Sequence, residues 1–230
     1  MWSGNGFLLE QEPGSGKTTG EKDCLHVGIS WMNMIEQDGT RMDRILCFVL
    51  LLLETRGLYL SISRRKWEIL IYYTQLSNLA ATASALFLVI LGHRPWIAAL
   101  RYLSTCMLVL TFFVTLFVLI PMGGSPKKLL FSGNGPYHHL LCPVLGTISY
   151  IGFEGHCDSR MVLLPVIVTL VYGLIMLALN ALRKVDGPYP FFRVHHQPVW
   201  MTVLWMVILL LVTAGISQGV HWLAPVRGAQ

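Results

Sequence analysis

From Ile45 onward, apolar residues come in long runs separated by short polar gaps. The runs are Ile45–Ile62, Ile69–Leu91, Tyr102–Ile120, Pro136–Phe153, Met161–Leu182 and Val199–Val220. A helix rises about 1.5 Å per residue, so about 20 apolar residues cross a hydrocarbon core about 30 Å thick. All six are of that order, and the last five contain no Asp, Glu, Lys or Arg. The gaps "SRRKWE", "GHRPW", "PMGGSPKK", "GHCDSR" and "RKVDGPYPFFR" concentrate the Gly, Pro and charge that mark loops. No period of two recurs over several segments, which excludes a transmembrane barrel. The pattern predicts an all-α polytopic membrane protein. Its body, residues 45–223, would be a six-helix transmembrane bundle, with a short tail at 224–230.

Composition agrees. The 230 residues are 54% hydrophobic and 13% charged, against about 25% charged in a soluble domain, and the mean hydropathy is +0.58. The formal charge of +5 implies no nucleic-acid partner. Its bases lie in the hydrophilic gaps, where membrane proteins carry them. The surroundings implied are membrane lipids, with a bacterial plasma membrane the expected location. Basic residues divide almost evenly between the two sets of loops, and omitting the head slightly favours both termini outside. Residues 1–44 differ from the rest, being net acidic and Gly-rich, with no signal-peptide pattern. They read as a disordered hydrophilic tail, and "RMDRILCFVL" offers Met42 as an alternative start. The five cysteines form no CxxC and imply neither a disulfide framework nor a zinc site.

Two short motifs lack the context their chemistry needs. "EPGSGKTTG" (residues 12–20) ends like a phosphate-binding loop. Gln11 replaces its first glycine, and neither a strand before it nor a nucleotide-binding domain around it is present; no nucleotide is expected. "GISQG" (215–219) matches GxSxG, which works on a strained strand-to-helix turn. Here it ends an apolar helix, with His221 one turn beyond Ser217.

The polar residues inside the runs are more informative. In "ILIYYTQLSNLAATASALFLVIL", Thr74, Ser77, Asn78, Ala81 and Ala85 share one helical face. Such a stripe should face the bundle or a cavity, whether for interhelical hydrogen bonding or for function. In "GPYHHLLCPVLGTISYIGFE", His139, Cys142, Pro143 and Gly146 share a face, and Pro143 cannot donate to the His139 carbonyl, so a bend is expected there. Thr74 and His139 both lie about one to two turns in from the same side. A hydroxyl and an imidazole that meet could form a nucleophile and its base. Ser77 and Asn78 are candidate oxyanion donors; Tyr73, Gln75 and His138 are candidate substrate contacts. His195 and His196 lie on the same side, but no pair has ligand spacing, so no metal and no cofactor is assigned. Glu54 and Arg56 are costly in the first run, and Glu54 calls for a basic partner on another helix.

At "LIYYTQLSNL", "HHLLCPVLGTISYIGFE" and "GPYPFF" the chain resembles bacterial six-pass integral membrane proteins of unknown function. These share a YxTxxSN motif in the second helix, HxxxP in the fourth and GxYPF before the sixth. That group is in turn distantly similar to the androgen-induced and androgen-dependent membrane proteins of animals, intramembrane threonine hydrolases that cleave fatty acid esters of hydroxy fatty acids. The resemblance spans roughly residues 45–222. It implies Thr74 as nucleophile, His139 as base and a lipid ester as substrate. Glu54 and Arg56 depart from the family's apolar first helix, and the head has no counterpart. Two other functions use the same stripe: a small transporter or permeation pathway, and a non-catalytic membrane component.

Overall fold

The computed structural model describes residues 19–155 and 157–224, and side chains from residue 37 onward except at 65, 67 and 156. Most of "EPGSGKTTG" therefore lies outside the described residues. The chain divides into two units, Met1–Gly39 and Thr40–Gln230. The described part of the first is helical, and the packing and sites below are those of the second. Among the described residues every regular element is a helix.

Helix α1 covers Thr19–Arg65, and its apolar portion is Gln37–Arg64. The run expected to start at Ile45 thus belongs to a longer helix, and Asp43, read as part of the head, is packed in the body with no exposed surface. Between residues 43 and 61 the buried positions of α1 are Asp43, Cys47, Leu50, Glu54, Gly57 and Ser61. The spacing alternates four and three, which keeps one narrow seam against a neighbouring helix. Ile45, Phe48, Val49 and Leu52 point away from the bundle. An apolar outward face is what a helix shows to lipid.

A 3₁₀ segment, Lys66–Ile71, leads into α2, Tyr73–Leu91. Helix α3 is Pro95–Val114, with proline at its first turn, where no N–H is missed. It starts earlier than the expected Tyr102 because Arg101 is buried and paired rather than in a loop. It continues as a π-helical turn, Thr115–Leu119. After the short α4, Pro126–Leu130, comes a second π-helical turn, Tyr137–Leu141, running into α5, Cys142–Phe153. A 3₁₀ turn, Ser159–Val162, opens α6, Leu163–Ala181; another, Pro190–Phe192, precedes α7, Val199–Leu223.

Among the described residues five helices are long and apolar enough to cross a membrane: Gln37–Arg64, Tyr73–Leu91, Pro95–Leu119, Ser159–Ala181 and Val199–Leu223. The expected run Pro136–Phe153 forms a shorter helix, because a π-turn occupies its first part.

Three apolar clusters hold the body together. One joins α2, α3, α6, α7 and the Tyr189–Phe192 segment, around Tyr73, Leu110, Tyr172, Phe192 and Leu209. The second joins α1, α2, α3 and α5 around Leu50, Leu88, Ile97 and Cys142. The third joins Tyr102 and Cys106 of α3 to Tyr150 and Val220. Helix α3 contributes to all three and is the central element. Helices α6 and α7 leave Ile167, Val171, Leu204 and Leu211 exposed.

Candidate functional site

The first amides of a helix have no partner within it. Tyr72, at the start of α2, offers no side-chain cap. Two phenols from distant segments replace it: the Tyr73 N–H donates to the Tyr172 hydroxyl at 3.1 Å, and the Thr74 N–H donates to the Tyr189 hydroxyl at 3.2 Å. Tyr189 comes from "GPYPFF" and also meets Thr74 Oγ1 at 3.0 Å. Gly187 lets this segment fold tightly, since a β-carbon there would lie 2.8 Å from the Phe192 carbonyl. Burial pushes the Tyr189 phenol above its ordinary value, so it keeps its proton as a donor.

The polar stripe of α2 is buried, as its spacing predicts, but its members divide by role. Ser77 donates to the Thr74 carbonyl at 2.8 Å and meets Thr111 at 3.1 Å. Asn78 Nδ2 donates to the same carbonyl. Both are fully buried, and their donors are directed at the backbone of α2, which leaves Ser77 to accept from Thr111 of α3. Tyr73 pairs with Thr169 at 2.9 Å. Gln75 is buried, yet its Oε1 has no partner.

Pro143 leaves the His139 carbonyl without its usual donor, and the preceding turn widens to the π form, closed by the Cys142 N–H donating to the Tyr137 carbonyl. One extra residue per turn rotates the face. His138, not His139, therefore shares the buried side with Cys142, Pro143 and Gly146. Its Nε2 lies 3.5 Å from Ser61 Oγ on α1. Gly57 makes this approach possible, since a β-carbon there would sit 2.5 Å from that nitrogen. His139 turns the other way, and its Nδ1 bonds Thr115 Oγ1 at 2.9 Å rather than Thr74. Thr115 donates its one proton to the Thr111 carbonyl at 2.8 Å. Toward His139 it therefore accepts, which places the imidazole proton on Nδ1 and leaves Nε2 as the basic nitrogen. Both π-turns of the fold thus meet at this bond.

Thr74, Gln75, His139 and Tyr189 line one cleft of about 560 Å³, together with Ser61, Arg64 and Asn134. A smaller void of about 40 Å³ adjoins it, lined by Leu110, Thr115, Gly173, Phe191, Met206 and Leu209 among others. Thr74, Tyr189 and Leu119 border both spaces. Thr74 therefore stands between a cleft that carries polar side chains on its wall and an apolar slot.

A second polar centre is remote from this cleft. Arg101 donates Nη1 to Asp43 at 2.7 Å and to Glu154, and Nη2 to Asp43 at 2.9 Å and Ser149 at 2.8 Å. Ser149 donates to Asp43 at 2.7 Å, and His93 Nε2 meets Asp43 at 2.9 Å. The side chains of Asp43, His93 and Glu154 approach closely enough to share a cation, but the Arg101 guanidinium already binds both carboxylates. Sequence reasoning missed this centre because its residues lie at the edges of apolar runs; the seam through Asp43, Cys47 and Leu50 was the available signal.

Ser217 and His195 have structural partners. Ser217 is buried, donates to the Val162 carbonyl at 2.7 Å and meets the Tyr102 hydroxyl at 2.6 Å. His195 Nε2 lies 3.1 Å from the Asn180 carbonyl. Glu54 has no basic partner of the kind its position called for: it is fully buried, and neither carboxylate oxygen makes a hydrogen bond among the described residues. Arg56 lies outside the seam, over the Tyr59 ring.

No protein-family model, curated protein or solved structure matches the chain.

Proposed function

We propose that this chain is an integral membrane protein whose six helical segments cross the bilayer, and that it hydrolyses lipid esters at Thr74. The observation that carries the reading is the position of Thr74 between a cleft that carries polar side chains on its wall and an apolar slot. An ester with its carbonyl at Thr74 would place a polar portion among Ser61, Arg64 and Asn134 and an acyl chain toward Met206 and Leu209. The sixth crossing is Tyr137–Phe153: its beginning meets Ser61 and its end region meets Asp43, eighteen residues apart on α1 and so about 27 Å.

In this reading Thr74 Oγ1 attacks the carbonyl carbon while His139 Nε2 takes its proton. Thr115 holds the ring and its tautomer, the part a third group plays in activated nucleophiles. The Gln75 side-chain amide, rather than Ser77 or Asn78, serves the oxyanion, because Gln75 faces the cleft. The C–O bond of the ester breaks, His139 returns the proton to the departing alkoxide, and water then releases the acid from Thr74. Tyr189, within 3.0 Å of Thr74 Oγ1, positions the hydroxyl. The three motifs liken the chain to the bacterial six-pass proteins, and Thr74 and His139 are the two positions that extend the likeness to the threonine hydrolases.

The test is covalent labelling of purified protein with a fluorophosphonate, mapped by mass spectrometry, beside turnover of a long-chain ester. The expected result is an adduct on Thr74 that His139→Ala abolishes. Folded protein with no adduct and no turnover would move the assignment to permeation or a non-catalytic role, and an adduct on Ser217 would move it to the end of α7.

A further inference from the structure

Glu54 and His138 have no part in that chemistry, yet both are placed where an unpartnered polar group is costly. Glu54 lies in the α1–α5 seam with 0% of its surface exposed, and both its oxygens lack hydrogen-bond partners. The Cys142 thiol, a weak donor, lies beside it. The apolar cluster on this seam adds Ala85 and Leu88 from α2 and Ile97 from α3, and its other titratable members are Cys47 of α1 and Tyr137 ahead of α5. Among the described residues no cation is bonded to a carboxylate there, and an uncompensated charge in such a place costs several kcal/mol. A carboxylic acid carrying its proton is the form the seam accommodates.

His138 is the second unpartnered group on the same seam. It is also fully buried, and its Nδ1 has no hydrogen-bond partner. Ser61 Oγ donates to the Gly57 carbonyl at 3.0 Å, so it accepts from His138 Nε2. Nδ1 then carries the free lone pair. Gly57, against which His138 packs, is three residues from Glu54, about 5 Å along α1. Beyond His138, Asn134 donates to Ser61 at 2.7 Å, and both Ser61 and Asn134 line the cleft.

We propose that Glu54 is a proton-binding site inside the bundle, and that it exchanges its proton with the cleft along the α1–α5 seam through His138 and Ser61, with Asn134 holding Ser61 at the cleft wall. The acid O–H passes its proton to the lone pair of His138 Nδ1; Nε2 gives its proton to Ser61 Oγ as Ser61 releases its own hydroxyl proton to solvent in the cleft, and return follows the same groups in reverse. Glu54 and Gly57 lie about one turn apart on the buried face of α1, and a side-chain rotation or a bridging water would carry the step from Glu54 to His138. The site gives the bundle a proton-linked element that is independent of ester cleavage.

The test is infrared difference spectroscopy of the full chain in lipid nanodiscs, changing H₂O for D₂O near neutral pH. The expected result is a protonated carboxyl C=O band that shifts in D₂O, is lost in Glu54→Gln and persists in Thr74→Ala, with its exchange slowed in His138→Phe. A hydrophobic carbodiimide provides a second reading on wild-type protein, since it adds across a protonated buried carboxyl without a leaving group. Adduct mass on Glu54 supports the site even if Glu54→Gln fails to fold. Absence of both band and adduct would overturn the proton site. Exchange as fast in His138→Phe as in wild type would overturn the route. Persistence of the band in Thr74→Ala separates this outcome from the fate of the hydrolase reading.

Discussion

The centre formed by Asp43, Arg101 and Glu154 makes a quantitative prediction about the body of the protein. Arg101 is almost fully buried and is the one guanidinium bonded to both carboxylates, themselves buried. Replacing it by methionine keeps most of the side-chain length and removes five donors. Asp43 keeps Ser149 and His93, but two carboxylates then share a buried site without their guanidinium. Breaking a buried pair by removing one partner costs about 3–5 kcal/mol, most of it the orphaned charge. At about 2–4 °C per kcal/mol for a chain of this size, the midpoint should fall by about 6–20 °C. Cys47, Cys106 and Cys142 are free and buried, so a thiol-reactive dye reports unfolding in detergent as they become accessible. The decisive comparison is the triple variant Asp43→Asn, Arg101→Met, Glu154→Gln. If orphaned charge is the cause, the neutral triple variant recovers much of the loss despite carrying more substitutions. A triple variant as unstable as Arg101→Met, or less stable, would refute this account and assign the energy to packing around α3.

Three further outcomes follow from single contacts. Tyr189→Phe removes the phenol that accepts from the Thr74 N–H and should lower stability by about 0.6–1.7 kcal/mol, the range for intramembrane hydrogen bonds, in the same dye assay. Its effect on fluorophosphonate labelling of Thr74 reads the positioning role separately. Pro143→Ala restores an N–H that can bond the His139 carbonyl, so the π-turn should revert toward α-helix and the His139–Thr115 bond should be lost. The nitrogen chemical shifts of His139, compared with those of Thr115→Val, would detect it. Ser217→Ala should cost stability within the same range and leave Thr74 labelling unchanged, since Ser217 donates to the Val162 carbonyl.

Runs of apolar residues and their punctuation are local properties, so the helices and the apolar character of the body could be read before any coordinates. The buried stripe of α2 was legible for the same reason: Thr74, Ser77, Asn78, Ala81 and Ala85 recur at helical spacing, and that face is buried. Charge misled where it was paired. Asp43 and Arg101 looked like loop residues because isolated charges belong outside apolar runs, and only contacts between residues 58 apart show that they neutralise each other within the packed body. Register was lost at Pro143, where the widened turn exchanges the positions of His138 and His139. The "GPYPFF" motif announced a turn, but that Tyr189 caps a helix 115 residues earlier in the chain belongs to the tertiary structure. Local sequence determines which segments become apolar helices, because each residue's transfer energy and each turn's hydrogen bonds are settled within a few neighbours. Which polar groups meet between those helices depends on packing and register, and a single π-turn is enough to send one histidine to the cleft and the other to the seam.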